Sequence, residues 1–303
     1  MAFVKAGKIW TVPADSEPAQ PAEPAENAAK ELAKTRGRAG ALRFSPDGTK
    51  LAFVSDRGDH SFIGVYSFAD QSVRYLDPGL GVDAEPAWSP DGKRIAFLRS
   101  QNERLALPFF PLRSAIPWSI RVADSETGEG RVAFRAGEGR GSAFRGMVAE
   151  NQILWAKGDR LVFPWEKNGW TQLYSVPANG GEATLLTPGE LEVEHASLSR
   201  DGSEVFFASN QDDIDRRHLW RVSAAAGPPH AVTSGKGLEW SPVEAGDGSA
   251  LAYLSSDARQ PAQAMVKVGD GAARALAPEA LPADFPSRSL VEPESVVFSA
   301  SDG

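Results

Sequence analysis

The side chains best suited to polar recognition are four arginines, Arg104, Arg113, Arg140 and Arg145, interleaved with Phe109, Phe110 and Phe144 in two stretches, 100–117 and 135–152. Guanidinium forks donate to carbonyl oxygens and rings cover apolar side chains, so the mixture suits a peptide. Trp165 and Glu166, in the string PWEKNGW, extend the set. An equally open reading is that both stretches pad an interface with another domain.

Nucleophilic and metal chemistry find less support. A serine hydrolase of the α/β class needs Gly-x-Ser-x-Gly, because its nucleophile sits on a sharp strand-to-helix turn between small residues. No such pentad occurs, and Gly141-Ser142-Ala143 lacks the spacing. His60, His195, His218 and His230 are scattered without a His-x-x-x-His spacing and read as surface or strand-edge residues. Asp212, Asp213 and Asp215 lack the six oxygen ligands, the turn glycine and the distal glutamate of a calcium loop. They read as a solvated loop paired with Arg216 and Arg217. Glu190, Glu192 and Glu194 alternate along an extended connector and point one way, toward solvent or a cationic group. No catalytic residue, metal site or cofactor is expected.

The balance of charge narrows the partners. A net charge of -8 argues against a nucleic-acid backbone, which is bound by clustered lysine and arginine. No run reaches the roughly 18 apolar residues of a membrane-spanning helix, and the start, MAFVKAGKIWTVP, has neither a charged n-region nor an h-region. Cysteine is absent, so disulfides and thiolates play no part and the compartment stays open. With 42% hydrophobic and 24% charged residues, the 303-residue chain can bury a real core.

One phrase recurs, and it is the framework for these groups. An apolar residue is followed by Ser-Pro-Asp-Gly, one or two polar residues and an apolar run: FSPDGTKLAF from Phe44, WSPDGKRIAF from Trp88, a degraded WAKGDRLVF from Trp155, LSRDGSEVFF from Leu198 and WSPVEAGDGSALAY from Trp240. Proline presets φ, aspartate bonds nearby backbone and glycine takes positive φ, so each copy reads as two antiparallel strands joined at a tight turn. Alternating segments follow as third strands, such as FIGVYSF from Phe62 and WSIRVA from Trp118, and a short fourth strand completes each repeat.

Four strands every 40 to 45 residues or so describe a propeller blade. The expected fold is an all-β propeller of about six four-stranded blades, near 1–37, 41–78, 86–135, 150–188, 196–234 and 238–278. The lead residues, from Phe44 to Trp240, should occupy equivalent positions and pack between blades. The first blade lacks its first strand, so it is either incomplete or closed by Ser295–Ser299. Ser16–Ala29, rich in Pro, Ala and Glu, reads as a mobile hairpin tip without function.

Two insertions interrupt the period, which stretches to 67 residues between Trp88 and Trp155. One lies between the second and third strands of that repeat and one follows its fourth strand. Alternating strand direction puts both at the same end of the blades, with SDRGDHS, PWEKNGW, SNQDDIDRR and SSDARQ. Variable charged loops on a rigid scaffold carry binding.

The strings HSFIGVY, EPAWSPDGKRIAF, PWSIRVAD, AENQILWAKGDRLVFPWEKNGWTQLYSVPANGGEATLLTPGE, SNQDDIDRRHLWRVS and PADFPSRSLVEPESVVFSASDG resemble the propeller of bacterial serine peptidases of the prolyl oligopeptidase family, in the branch near dipeptidyl peptidase IV. The resemblance covers nearly the whole chain. It implies a propeller that shields an active site and admits short peptides, partnered by a C-terminal α/β-hydrolase domain of the same full-length protein. Residues 289–303 resemble the crossover into that hydrolase. The dipeptidyl branch holds the substrate's free amine with adjacent glutamates; no Glu-Glu pair occurs in this sequence, so that specificity is not carried over. Alternatives are a stand-alone TolB-like interaction propeller, and a propeller lyase or glycosidase with carboxylates or histidines converging near its axis. Oligomeric state and cleavage specificity are not readable.

Overall fold

The structure is a computed structural model that describes residues 1–13, 29–101, 118–139, 141–299 and 301. The stretch read as a hairpin tip and most of the first insertion lie outside the described residues. Six antiparallel sheets account for the described strands. The only described helix is a short 3-10 turn, Pro278–Ala280. The chain divides into two compact units, Met1–Leu186 and Thr187–Gly303.

The first unit holds four sheets. β1 (Ala2–Lys5), β2 (Lys8–Thr11) and β3 (Lys30–Ala33) make a three-stranded sheet. β4 (Arg38–Phe44), β5 (Lys50–Asp56), β6 (Ser61–Ser67) and β7 (Val73–Leu76) make the second. β8 (Val82–Trp88), β9 (Arg94–Ser100), β10 (Trp118–Asp124) and β11 (Gly130–Arg135) make the third. The fourth is β12 (Leu154–Ala156), β13 (Arg160–Trp165), β14 (Gln172–Pro177) and β15 (Thr184–Leu185). In the second unit, the fifth sheet is β16 (Val193–Leu198), β17 (Glu204–Ser209), β18 (His218–Ser223) and β19 (His230–Ala231). The sixth is β20 (Leu238–Glu244), β21 (Ala250–Asp257), β22 (Gln260–Val268) and β23 (Arg274–Ala275).

The second strand of sheets two, three and four holds an apolar run covered on both faces. Leu51, Ala52 and Phe53, Ile95, Ala96 and Phe97, and Leu161, Val162 and Phe163 are fully buried. Each large side chain among them stabilises the fold by about 1.5–3 kcal/mol. Between the third and fourth sheets, Trp118, Phe134, Phe163, Trp165 and Tyr174 form one aromatic cluster, with Phe134 to Trp165 at 5.0 Å and Trp165 to Tyr174 at 4.9 Å between ring centroids.

The recurring turn works as a small hydrogen-bonded unit. Ser45 Oγ donates to Asp47 Oδ1 at 2.6 Å, Thr49 N–H donates to the same oxygen at 3.1 Å, and Gly48 sits at φ 71°. Ser89, Asp91 and Lys93 repeat the pattern, as do Ser199, Asp201 and Ser203.

Several expectations need correction. Phe44, Trp88, Trp155 and Leu198 do share a register, opposite Leu51, Ile95, Leu161 and Val205. Trp240 does not: it pairs with Leu254, and Glu244, opposite Leu251, takes the equivalent place. Ser241-Pro242 imitates the turn signal but lies inside β20, and the turn falls at Asp247-Gly248. Phe44 is not packed between blades but is 45% exposed, stacked on Phe68. Ser295–Ser299 forms no strand; Ser295 Oγ instead donates to Asp215. Among the described residues the first sheet is therefore incomplete.

Candidate functional site

Trp118 pairs with Ser100 and Ser119 with Arg135, so Ser100, Trp118 and Arg135 share one end of the third sheet. Arg104, Arg113, Phe109, Phe110 and Arg140 lie outside the described residues. The described part of the connector 136–153 is held closely. Gly141 O accepts the indole N–H of Trp165 at 2.7 Å and that of Trp118 at 3.2 Å. Gly141 has φ 78°, and a Cβ there would lie 2.7 Å from Trp165 Nε1, so glycine is required for this approach. Phe144 meets the edge of Trp118 at 5.1 Å.

This anchoring brings Arg145 to Glu166, which directly follows β13. Their Nε to Oε2 distance is 3.4 Å, with the side chains 53% and 38% exposed. Such a pair is worth little in water and can exchange partners readily. Arg145 is thus a guanidinium on a fixed loop, lightly engaged and open to solvent. Trp165, 8% exposed, has its indole N–H already committed to Gly141, so it holds the loop. Lys167 lies 5.0 Å from its ring centroid.

The connector ends of the sheets also hold charge networks. In the first unit, Arg99 donates to both carboxylate oxygens of fully buried Asp83 at 2.6 and 2.8 Å, and to the backbone oxygen of Asp77 at 2.6 Å. Arg121 bonds the Asp77 carboxylate. Burial pushes the Asp83 carboxyl up, against the pull of Arg99.

In the second unit, Asp213 pairs with Arg216 at 3.0 Å and Glu194 with Arg217 at 2.8 Å. His218, read as a surface or strand-edge residue, opens β18 and is buried there, with its Nδ1 2.7 Å from Glu239 Oε2. Thr233 Oγ1 donates to the same oxygen at 2.9 Å. His195 Nδ1 lies 3.3 Å from Ser241 Oγ, and burial lowers its pKa against the pull of Glu194. Among the described residues no group of three or more His, Cys, Asp or Glu side chains is placed to hold a metal.

Comparison with known proteins places this geometry. Six antiparallel sheets whose turns recur at blade intervals define a β-propeller, and solved structures agree. A TolB structure from Agrobacterium tumefaciens superposes with a TM-score of 0.50 at 20% identity, covering 82% of this chain and 84% of that one. A puromycin hydrolase complexed with PGG gives 0.69 at 17% identity, covering 100% of this chain and 46% of that one. At these identities the likeness establishes the fold alone.

Sequence similarity covers part of the chain. Residues 113–262, which include the anchored connector and most of sheets four to six, match the family described as the dipeptidyl peptidase IV (DPP IV) N-terminal region. The "Uncharacterized peptidase YuxL" of Bacillus subtilis (strain 168) is 28% identical over 175 residues, 57% of this chain and 22% of that protein. The chain spans less than half the length of these two relatives.

Proposed function

We propose that this propeller gates and helps bind short peptide substrates for a serine peptidase of the prolyl oligopeptidase family. It contributes no catalytic residue. The chemistry is performed by a C-terminal α/β-hydrolase domain of the same full-length protein, with residues 1–288 as the propeller and 289–303 as the crossover. The observation that supports this reading is Arg145, held at the rim of the connector end between two anchored points and paired only loosely with Glu166. Its guanidinium can leave that exposed carboxylate for a peptide carbonyl or carboxylate oxygen at small cost. Arg104, Arg113 and Arg140 belong to the same two connectors and extend the binding lip, with Glu166 as its acidic counterpart.

The test separates chain from whole protein. The 303-residue chain and the longer product of its gene are assayed with the same tripeptide coumarylamides. The reading expects turnover from the longer product alone, and a Gly-x-Ser-x-Gly pentad in the frame beyond Gly303. Turnover by the isolated chain that disappears on mutating one of its own residues would overturn it. A frame without the pentad, in a protein that binds another protein through its connector loops, would favour the TolB-like interaction propeller.

A further inference from the structure

The far end of the 136–153 connector is tied down by residues from two earlier sheets. Arg43, in β4, donates from Nη2 to Asn151 Oδ1 at 2.7 Å across 108 residues of sequence. Glu85, in β8, is half-buried beside the Gln152 N–H and the Arg43 guanidinium, both of which pull its carboxyl down. Gln152 is buried and closes the loop on itself: its Oε1 accepts Met147 N–H at 2.7 Å, and its Nε2 donates to Met147 O at 3.3 Å and to Ala149 O. A Cβ on Gly146 would lie 3.0 Å from Gln152 Oε1, so the loop is also tight. Arg145 is the residue that immediately precedes this closed loop.

Glu85 reaches Gln152 because of a bulge. The register of β8 shifts between Ala84 and Ala87, with Glu85 at φ 56°. Ala41 and Ser241 occupy the same point in their strands, three residues before the end, at φ 47° and 51°. The strained backbone therefore belongs to the fold, and the carboxylate on it is peculiar to β8 among these three bulges. Burial raises the Glu85 carboxyl, while the Gln152 N–H and Arg43 pull it down and Glu150 pushes it up.

We propose that Glu85 and Arg43 are positioning residues for Arg145: by gripping Gln152 and Asn151 they hold the 146–152 loop, and so fix where the Arg145 guanidinium stands at the rim. The assignment of a substrate to Arg145 rests on the function proposed above; the grip itself does not.

Two readouts keep them apart. Amide exchange is measured at 146–152 in the 303-residue chain carrying Glu85→Ala, Arg43→Ala, Asn151→Ala or Glu85→Gln, with Lys8→Ala, at the distant Lys8–Glu31 pair, as control. Losing one such bond opens the loop about tenfold more often, so exchange at Met147 and Gln152 rises about tenfold in the three alanine variants of this site. Glu85→Gln keeps an acceptor and stays near the parent, as does Lys8→Ala. In the longer product, Glu85→Ala raises KM for a tripeptide coumarylamide and leaves kcat unchanged. Unchanged exchange in Glu85→Ala and Arg43→Ala, with the melting temperature preserved, overturns the positioning role. Faster exchange together with a silent Arg145→Ala upholds the grip and removes the substrate from it.

Discussion

The recurring turns and the contacts between separate elements are of different kinds. Inside a turn, bonds run between residues two to five apart, as from Ser45 and Thr49 to Asp47. Between elements they join residues far apart in sequence, 16 for Arg99 and Asp83, 65 for Arg94 and Asp159 and 108 for Arg43 and Asn151. The turn repeats because each unit is self-sufficient and only has to reverse the chain. The contacts between elements are individual because each joins a particular pair, and the exposed connector loops beside them are free to vary toward binding.

The sharpest way to break this contrast is Arg99→Ala. It leaves Asp83 as a fully buried carboxylate without its guanidinium, which costs about 3–5 kcal/mol. Denaturant unfolding of the chain should show that loss, and less than about 1 kcal/mol would mean that the Arg99–Asp83 bonds do not hold the third sheet. Next comes Glu239→Ala, which strips His218 and Thr233 of their shared acceptor at about 1–3 kcal/mol. A smaller effect on unfolding than Lys8→Ala would place that network outside the core.

His195 sharpens the comparison through pH. Its lowered pKa means that the fold prefers the neutral ring, so its contribution is complete above the ordinary histidine value of 6.5 and is lost as pH falls below it. His195→Asn should flatten that part of the stability profile; an unchanged slope would contradict it. The smallest effect belongs to the turns. Asp47 is lowered to about 2 by the Ser45 hydroxyl and by the Thr49 N–H and hydroxyl. A depressed carboxylate contributes above its ordinary value of 3.8 and loses that contribution as pH falls toward 2. Asp47→Asn should remove that acid-range slope with little change at neutral pH.

The same contrast explains what could be read from the sequence. The Ser-Pro-Asp-Gly turns were legible because their chemistry is contained within five residues, and they delivered the strands and the propeller. Where a turn signal was duplicated, at Ser241-Pro242 and Asp247-Gly248, the repeat was placed four residues early. The burial of His218 was not legible because its partner, Glu239, lies 21 residues onward in the next sheet. Asp83 and Arg99 left no local trace for the same reason. In the proposed lip, Arg145, Phe144 and Glu166 were singled out by type and loop position. The glycine at 141 and the grip of Glu85 and Arg43 depend on approaches that no spacing encodes.

The central claim is that the connector-end guanidinium acts on substrate and not on folding. The most direct measurement is the steady-state kinetics of Arg145→Ala in the longer product with a tripeptide coumarylamide, alongside the melting temperature of the same variant. The account predicts a KM raised about tenfold, or kcat/KM lowered as much, corresponding to one charge-assisted bond of about 1.5–3 kcal/mol partly replaced by water, with the melting temperature unchanged. Kinetics identical to the parent in a correctly folded variant would contradict it.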